Sequence, residues 1–318
     1  MADAPRGPPG APAAALAALA SRPCPVCGDT DTSDEMFSEH IDTERLGTLS
    51  YASRKEPEYM RLSMVVCPSC DLLYAPRAPP IEFLARAYAQ AGYDSDAEAC
   101  HAADSYADAL RLRLDALPDR ASALEIGAGN GALLARLRDL GFGELIGIEP
   151  SQAAADSAPA NLRACLRVES FDPARLPAAH FTLIIANQTL EHVPAPLELL
   201  SAARRLLKPG GALMLVSHNY RHWLMHLLGA RSPIIDIEHL QVFSPASLDA
   251  ALQRAGFAQA QIEPFANEYP LHYWVRLLPL PRGLKGPLHA ALRRPEGGGL
   301  GGIVLRARAG NMIAWARA

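Results

Sequence analysis

The 318-residue sequence has no apolar run approaching the roughly 20 residues that a membrane-crossing helix needs, so no transmembrane segment is expected. It also lacks a surplus of positive charge. Thirty Lys and Arg against 34 Asp and Glu leave a formal net charge of −4, and nothing draws the chain as a whole toward nucleic acid. No internal repeat is visible. The one strongly biased stretch is the start, MADAPRGPPGAPAAALAALA. Asp3, the single Arg6 and the repeated prolines oppose a secretory leader, and a disordered tail over residues 1–20 is expected instead. The composition, 49% hydrophobic and 20% charged, is that of a globular protein with one large domain and additions, or two domains.

Cysteine is scarce, six in all, but four of them fall in two pairs: Cys24-Pro-Val-Cys27 and Cys67-Pro-Ser-Cys70. Each short loop can put two sulfurs on one tetrahedral ion, and two loops complete the shell. The segment between the pairs includes the strand-like RLSMVV (61–66), which can bring them together. Four thiolates leave no coordination position for substrate, so a zinc here would hold the fold. The alternative is four reduced or disulfide-linked cysteines. His40 is not needed as a ligand, and Cys100 and Cys165 are most simply free thiols. Thiolates imply a reducing compartment, and a cytoplasmic location is the expectation.

Downstream, LEIGAGNG (124–131) reads as a strand turning into a helix through Gly127, Gly129 and Gly131. The following ALLARLRDL puts Leu133, Leu134, Leu137 and Leu140 on one helical face. The turn differs from a dinucleotide fingerprint, because Ala132 stands where the third glycine would be. Glu125 would repel a pyrophosphate but can hold an ammonium group. ELIGIEP (144–150) reads as a second strand ending in Glu149, which can accept both hydroxyls of a ribose. A zwitterionic nucleoside such as S-adenosylmethionine fits both ends.

LEIGAGNG, IGIEP, NQTLEHV (187–193) and LLKPGG (206–211) together resemble the ordered signature of the class I S-adenosylmethionine-dependent methyltransferases, over about residues 122–265. The resemblance implies an α/β fold, a doubly wound seven-stranded sheet. The expected organisation is a zinc ribbon over 21–78, a helical cap or linker over 79–120 and the cofactor-binding domain over 121–318. One departure is Thr182, where the family usually has Asp, and it puts a local hydrogen bond in doubt. The implied cofactor contacts are Glu125, Gly127, Gly129, Gly131 and Glu149, with Ser170 and Phe171 after the third strand and Asn187 and Gln188 at the end of the fourth. Tyr88, Tyr93 and Tyr106, in the preceding helical region, are candidates to face the cleft, the alternative being core or surface.

An oxygen or carbon acceptor benefits from proton removal, and three residues are candidates for that work. His192 is the first base candidate, Glu191 its orienter, and His218, at the tip of the fifth strand, the second base candidate. EHV recurs in methyltransferases of different substrates, so bracing the loop is the alternative role. Glu238 and His239, in DIEHLQVFSPASL, can reach substrate.

Between the sixth strand (261–265) and the last (311–317), residues 267–302 form an expected insertion over the substrate mouth, carrying Tyr273, Trp274 and Arg276. From residue 271 onward eight basic residues face Glu296 alone, +7, leaving the remainder at −4 − 7 = −11. The resulting expectation is methyl transfer to a small anionic acceptor such as a nucleotide-linked sugar or glycan precursor, recognised in part by Trp274, Arg276, Arg282 and Lys285, the alternatives being a solvated basic face and, for Trp274, core packing or a contact with lipid or a partner. A zinc-ribbon protein that binds or modifies RNA is a second reading, opposed by the acidic remainder and by the lack of a basic aromatic run around the cysteines. A nicotinamide-dependent oxidoreductase is a third, opposed by Ala132, Glu125 and the downstream motifs. The oligomeric state is left open.

Overall fold

Ser122–Ile126 is buried along its whole length, and Phe181–Asn187 along all but its last residue, so these strands carry a packed layer on each face. The structure, a computed structural model, describes residues 18–32, 34–280, 282–292 and 300–318, with the backbone alone at 282, 289 and 300.

Seven strands form the central sheet: β1 (Ser122–Ile126), β2 (Glu144–Glu149), β3 (Leu166–Val168), β4 (Phe181–Asn187), β5 (Leu207–His218), β6 (Ala260–Pro270) and β7 (Val304–Arg317). Their order is β6-β7-β5-β4-β1-β2-β3. β7 runs antiparallel to both neighbours, and the ladders from β5 to β3 are parallel. Alternate residues feed opposite cores. Leu124, Ile126, Ile184 and Ala186 pack on one side, and Ala123, Leu183, Ile185 and Met214 on the other.

Helices cover both faces. After α1 (Ile81–Ala89), α2 (Asp96–Arg111) and α3 (Ala132–Asp139) contribute Tyr106, Leu110, Leu134 and Leu137 to the second core. On the first side α4 (Pro196–Leu206) and α5 (Pro245–Arg254) contribute Leu200, Ala203, Leu248 and Leu252. Ser244 caps α5 through a reciprocal capping box with Ser247. The strand order reverses between β1 and β4, and their carboxyl ends open the crevice where ligands bind in such sheets.

The N-terminal module is packed against this domain. Glu35–Phe37, Met64–Val66 and Leu73–Tyr74 form a sheet whose edge strand, Gln241–Val242, comes from the main domain. Cys24, Val26, Val65 and Tyr74 share an apolar cluster with β1 and β4. Arg22 reaches across to the carbonyls of Pro194 and Leu240, at 3.1 and 2.7 Å. Of the expected disordered tail, residues 1–17 lie outside the described residues, whereas Ala20 pairs with Ala78.

The expected insertion begins by extending the sheet and continues as helices. β6 and β7 stay paired out to Pro270 and Val304, and α6 (Leu271–Leu277) and α7 (Arg282–Leu292) follow. Arg293, Arg294 and Glu296 lie outside the described residues. Residues 163–165, expected in β3, instead end a short helix (Ala160–Arg163) and turn. At Thr182 the doubtful hydrogen bond is rebuilt from elsewhere. Its hydroxyl donates to Asp119 at 2.5 Å, and Lys208 holds the same carboxylate at 2.7 Å.

Candidate active site

A cavity of about 470 Å³ opens at the ends of β1, β2 and β4. Gly127, Gly129 and Gly131 all take positive φ, at 78°, 54° and 73°, the backbone conformation that favours glycine. Their amides are not held free for a ligand. The N–H groups of Gly127 and Ala128 go to Ile148 O, that of Gly131 to Ala128 O, and that of Gly129 to Glu149 Oε2 at 2.8 Å. What the turn supplies is room. A Cβ at Gly129 would meet nothing within 4 Å, whereas at Gly127 it would lie 2.6 Å from Thr189 Oγ1.

Glu149 closes the second strand. Its Oε1 accepts from Ser151 N–H at 2.7 Å, so each oxygen has one donor and a lone pair left over. Burial raises its pKa against the pull of those two N–H groups. Glu125, also in the cavity wall, has Oε2 buried without a partner. Burial pushes it up to about 8, opposed by Arg54 and reinforced by Glu149. Ser170, Phe171, Asn187 and Gln188 line the cavity, and both polar side-chain atoms of Asn187 are buried without a partner. Gln188 is held at φ 49°, its N–H on Val216 O at 2.6 Å.

His192 is the histidine that lines the cavity. Its Nδ1 lies 3.1 Å from the carbonyl of Glu238 and 3.2 Å from Tyr88 Oη, and Tyr88 donates to the same carbonyl at 2.9 Å. A carbonyl only accepts, so Nδ1 carries the proton and Nε2 keeps its lone pair. Burial pushes His192 down to about 4, which keeps the ring neutral at pH 7.

Glu191 does not orient this ring. Its carboxylate is fully buried and Oε1 accepts from the His218 backbone N–H at 2.7 Å, tying the loop after β4 to the tip of β5. Burial raises it to about 7. His239 and His218 form a row behind His192, with ring centroids 4.8 Å and then 5.3 Å apart. Their Nδ1 atoms are engaged by Ile234 O and Asn311 Oδ1, and neither residue lines the cavity.

Trp274 and Arg276 also lie away from it. Trp274 Nε1 donates to Leu305 O at 3.1 Å, and Arg276 reaches Asp94 at 3.3 Å. The described residues of the insertion pack on the α2 side of the sheet and do not line the cavity, which differs from the expected cover over its mouth. Residues 51–54 and α1 do so instead, through Tyr51, Arg54, Leu84 and Tyr88. Of these, Tyr88 was a sequence candidate, as were Tyr93 and Tyr106, which also line the cavity. Tyr51 and Arg54 were missed, since YASRKEP carries no periodic or motif signal.

The four paired cysteines converge. Their sulfurs all lie within 4.8 Å of one another, with Cys24 to Cys70 at 3.5 Å and Cys27 to Cys67 at 3.4 Å. A zinc–thiolate tetrahedron with bonds of about 2.3 Å has edges of about 3.8 Å, so the donor set fits that ion.

The family model for a methyltransferase domain matches residues 99–262, just over half of the chain. Among curated proteins, the ubiquinone biosynthesis O-methyltransferase of Psychrobacter arcticus is 29% identical over 167 residues, covering 48% of this chain and 65% of that protein. The protein of the same name from Escherichia coli is 31% identical over 135 residues, covering 37% and 55%. The chain thus spans less than two thirds of the length of either relative. Similar solved structures include S-adenosylmethionine-dependent methyltransferases from Thermotoga maritima (20% identity, 69% of this chain and 91% of that one, TM-score 0.44) and Archaeoglobus fulgidus (18%, 68% and 94%, TM-score 0.46). The chain belongs to the methyltransferase domain family.

Proposed function

We propose that this enzyme methylates a hydroxyl on a small, uncharged acceptor, with His192 as the base. The observation that carries the reading is His192 itself, lining the cavity with Nδ1 engaged by the Glu238 carbonyl, which leaves Nε2 as its proton acceptor. S-adenosylmethionine supplies a methyl group on a sulfonium, already a good leaving centre. The protein's task is to bring the acceptor oxygen into line, take its proton onto Nε2 and keep water out. Glu149 would receive the ribose hydroxyls and Glu125 the ammonium, with Ser170 and Phe171 beside the adenine and Asn187 and Gln188 beside the reacting centre.

The apolar wall of Leu84, Ala85, Val193 and Pro194 suits the body of such an acceptor. The charges in the cavity oppose the anionic acceptor that composition suggested. Among the described lining residues Arg54 is the one cation, set among Glu125, Glu149 and Glu198. Arg276 and Lys285 are already paired, with Asp94 and Glu56. The two relatives named O-methyltransferases agree with an oxygen acceptor. The four cysteines would hold a structural zinc, with the module around them acting as a wall of the site.

The test is transfer of labelled methyl to a panel of phenols and sugars, comparing the wild type with His192→Gln. The expected result is transfer to neutral hydroxyl compounds, a kcat about 100-fold or more lower in the variant, and unchanged affinity for S-adenosylhomocysteine. An unchanged kcat in His192→Gln removes the base, and exclusive transfer to phosphorylated acceptors removes the neutral-acceptor reading.

A further inference from the structure

Arg54 belongs by sequence to the cysteine module, between its two pairs and outside the matched span of 99–262, yet it lines the methyltransferase cavity. Its surroundings are those of a binding group. Nε is buried without a hydrogen-bond partner, and Nη1 donates to Ser53 Oγ at 3.1 Å. Among the described residues no carboxylate lies within ion-pair distance of it. The residue as a whole is half-buried, so what it offers the cavity is a guanidinium with one buried donor still unpaired, which a ligand anion can complete.

Two further observations converge on the same place. The backbone of Arg54 is held at φ 54°, a left-handed conformation costly for a side chain of this size. The segment is therefore constrained by what surrounds it. The hydroxyls of Tyr93 and Tyr106, both in the cavity wall, are buried without partners and stand with Arg54 as available donors. Glu125, close enough to Arg54 for its carboxyl to feel the charge, has an oxygen equally without a partner. One unsatisfied cation and one unsatisfied acid at the same end of a cavity complement a zwitterion.

We propose that Arg54 binds the carboxylate of the amino-acid end of the cofactor, so that the cysteine module supplies the residue that selects a complete S-adenosyl amino acid. This rests on the cofactor reading above. It makes the module part of the binding site, and it explains why the cavity holds a cation although its acceptor is uncharged.

The experiment compares S-adenosylhomocysteine with its decarboxylated analogue, which keeps the adenosine, the thioether and the amine. Both are titrated calorimetrically into wild type, Arg54→Gln and Arg54→Lys. In the wild type the analogue should bind about 10- to 100-fold more weakly, the range of a charge-assisted hydrogen bond. In Arg54→Gln that difference should vanish, because S-adenosylhomocysteine weakens and the analogue does not. Arg54→Lys should retain part of it.

Equal weakening of both ligands in Arg54→Gln would mean a purely structural residue and would overturn the proposal, as would a wild type that does not distinguish them. Should Arg54→Gln fail to fold, the wild-type comparison and Arg54→Lys decide alone. If the folded wild type bound neither compound, the cofactor reading itself would fail.

Discussion

Replacing Lys55 by Met should destabilise the fold in a pH-dependent way. Lys55 Nζ lies 2.8 Å from Glu58 Oε2, 2.9 Å from Glu238 Oε2 and 3.5 Å from Asp236 Oδ2, with the lysine side chain only 5% exposed. Asp236 is further engaged by the N–H groups of Glu58 and Ile237, at 2.7 and 2.9 Å. Removing one partner of a buried ion pair costs about 3–5 kcal/mol, because the other charge is left without compensation. Carboxyl groups have an alternative, which is to keep their protons. Burial already pushes Glu238 up to about 8 even though Lys55 pulls it down, and burial raises Asp236 as well.

Between the ordinary carboxyl value of 4.5 and about 8, folded Glu238 binds more protons than the unfolded chain. Stability therefore falls as pH rises across that window. Without Lys55 the folded pKa rises further, and the loss continues to higher pH. Urea denaturation should show Lys55→Met less stable by about 3–5 kcal/mol near pH 9 and by a smaller margin near pH 6. The Glu238 carbonyl holds His192 and Tyr88, so kcat should fall more than affinity for S-adenosylhomocysteine. A deficit equal at both pH values, or below about 1 kcal/mol as for an exposed pair, would refute the reasoning.

Other outcomes follow from the same geometry. Glu125 is held up to about 8 and must ionise to take an ammonium, so S-adenosylhomocysteine affinity should climb as pH rises toward that value, with proton release seen by calorimetry in two buffers. A flat profile would remove the ammonium contact. Gly129→Ala, with nothing within 4 Å of the new methyl, should lose about 1–2 kcal/mol to its left-handed backbone yet abolish cofactor binding. Gly127→Ala, pressed against Thr189 Oγ1, should lower the Tm more; the reverse order of melting temperatures would count against this. Cys67→Ser should lower zinc content and Tm together and weaken S-adenosylhomocysteine binding, because residues 51–54 sit between the two cysteine pairs. Tight binding by zinc-free folded protein would break that link.

The parts legible in the sequence are those set by neighbours along the chain. The glycine turn and Glu149 at its strand tip follow from local spacing, and the structure places them where that spacing implies. The two C-x-x-C loops also carry their geometry within four residues each. The errors concern direction. Glu191 stands beside His192 in sequence, yet its carboxylate turns to His218 N–H because the β5 tip offers a donor inside a fully buried layer. Amides at a strand-to-helix turn are commonly free for a ligand, but here the parallel pairing of β1 with β2 brings Ile148 O and Glu149 within reach and consumes them.

Charge along the chain is hard to read for a related reason. A basic C-terminal segment says nothing about which acids fold against it, and Asp94, Glu56 and Glu268 neutralise Arg276, Lys285 and Arg306 from far away in the chain. The cation that does enter the cavity is one of 30 Lys and Arg and has no motif around it. Its place depends on the two cysteine pairs closing their loop and on Gln241–Val242 pairing with Leu73–Tyr74, which fastens the module over the crevice. The matched domain thus provides the glycine turn and Glu149, while residues 51–54 and α1 provide an adjoining wall, with Tyr88 against His192. Residues that discriminate acceptors should therefore be sought at Tyr51, Leu84 and Tyr88, where the wall can change without disturbing the glycine turn or Glu149.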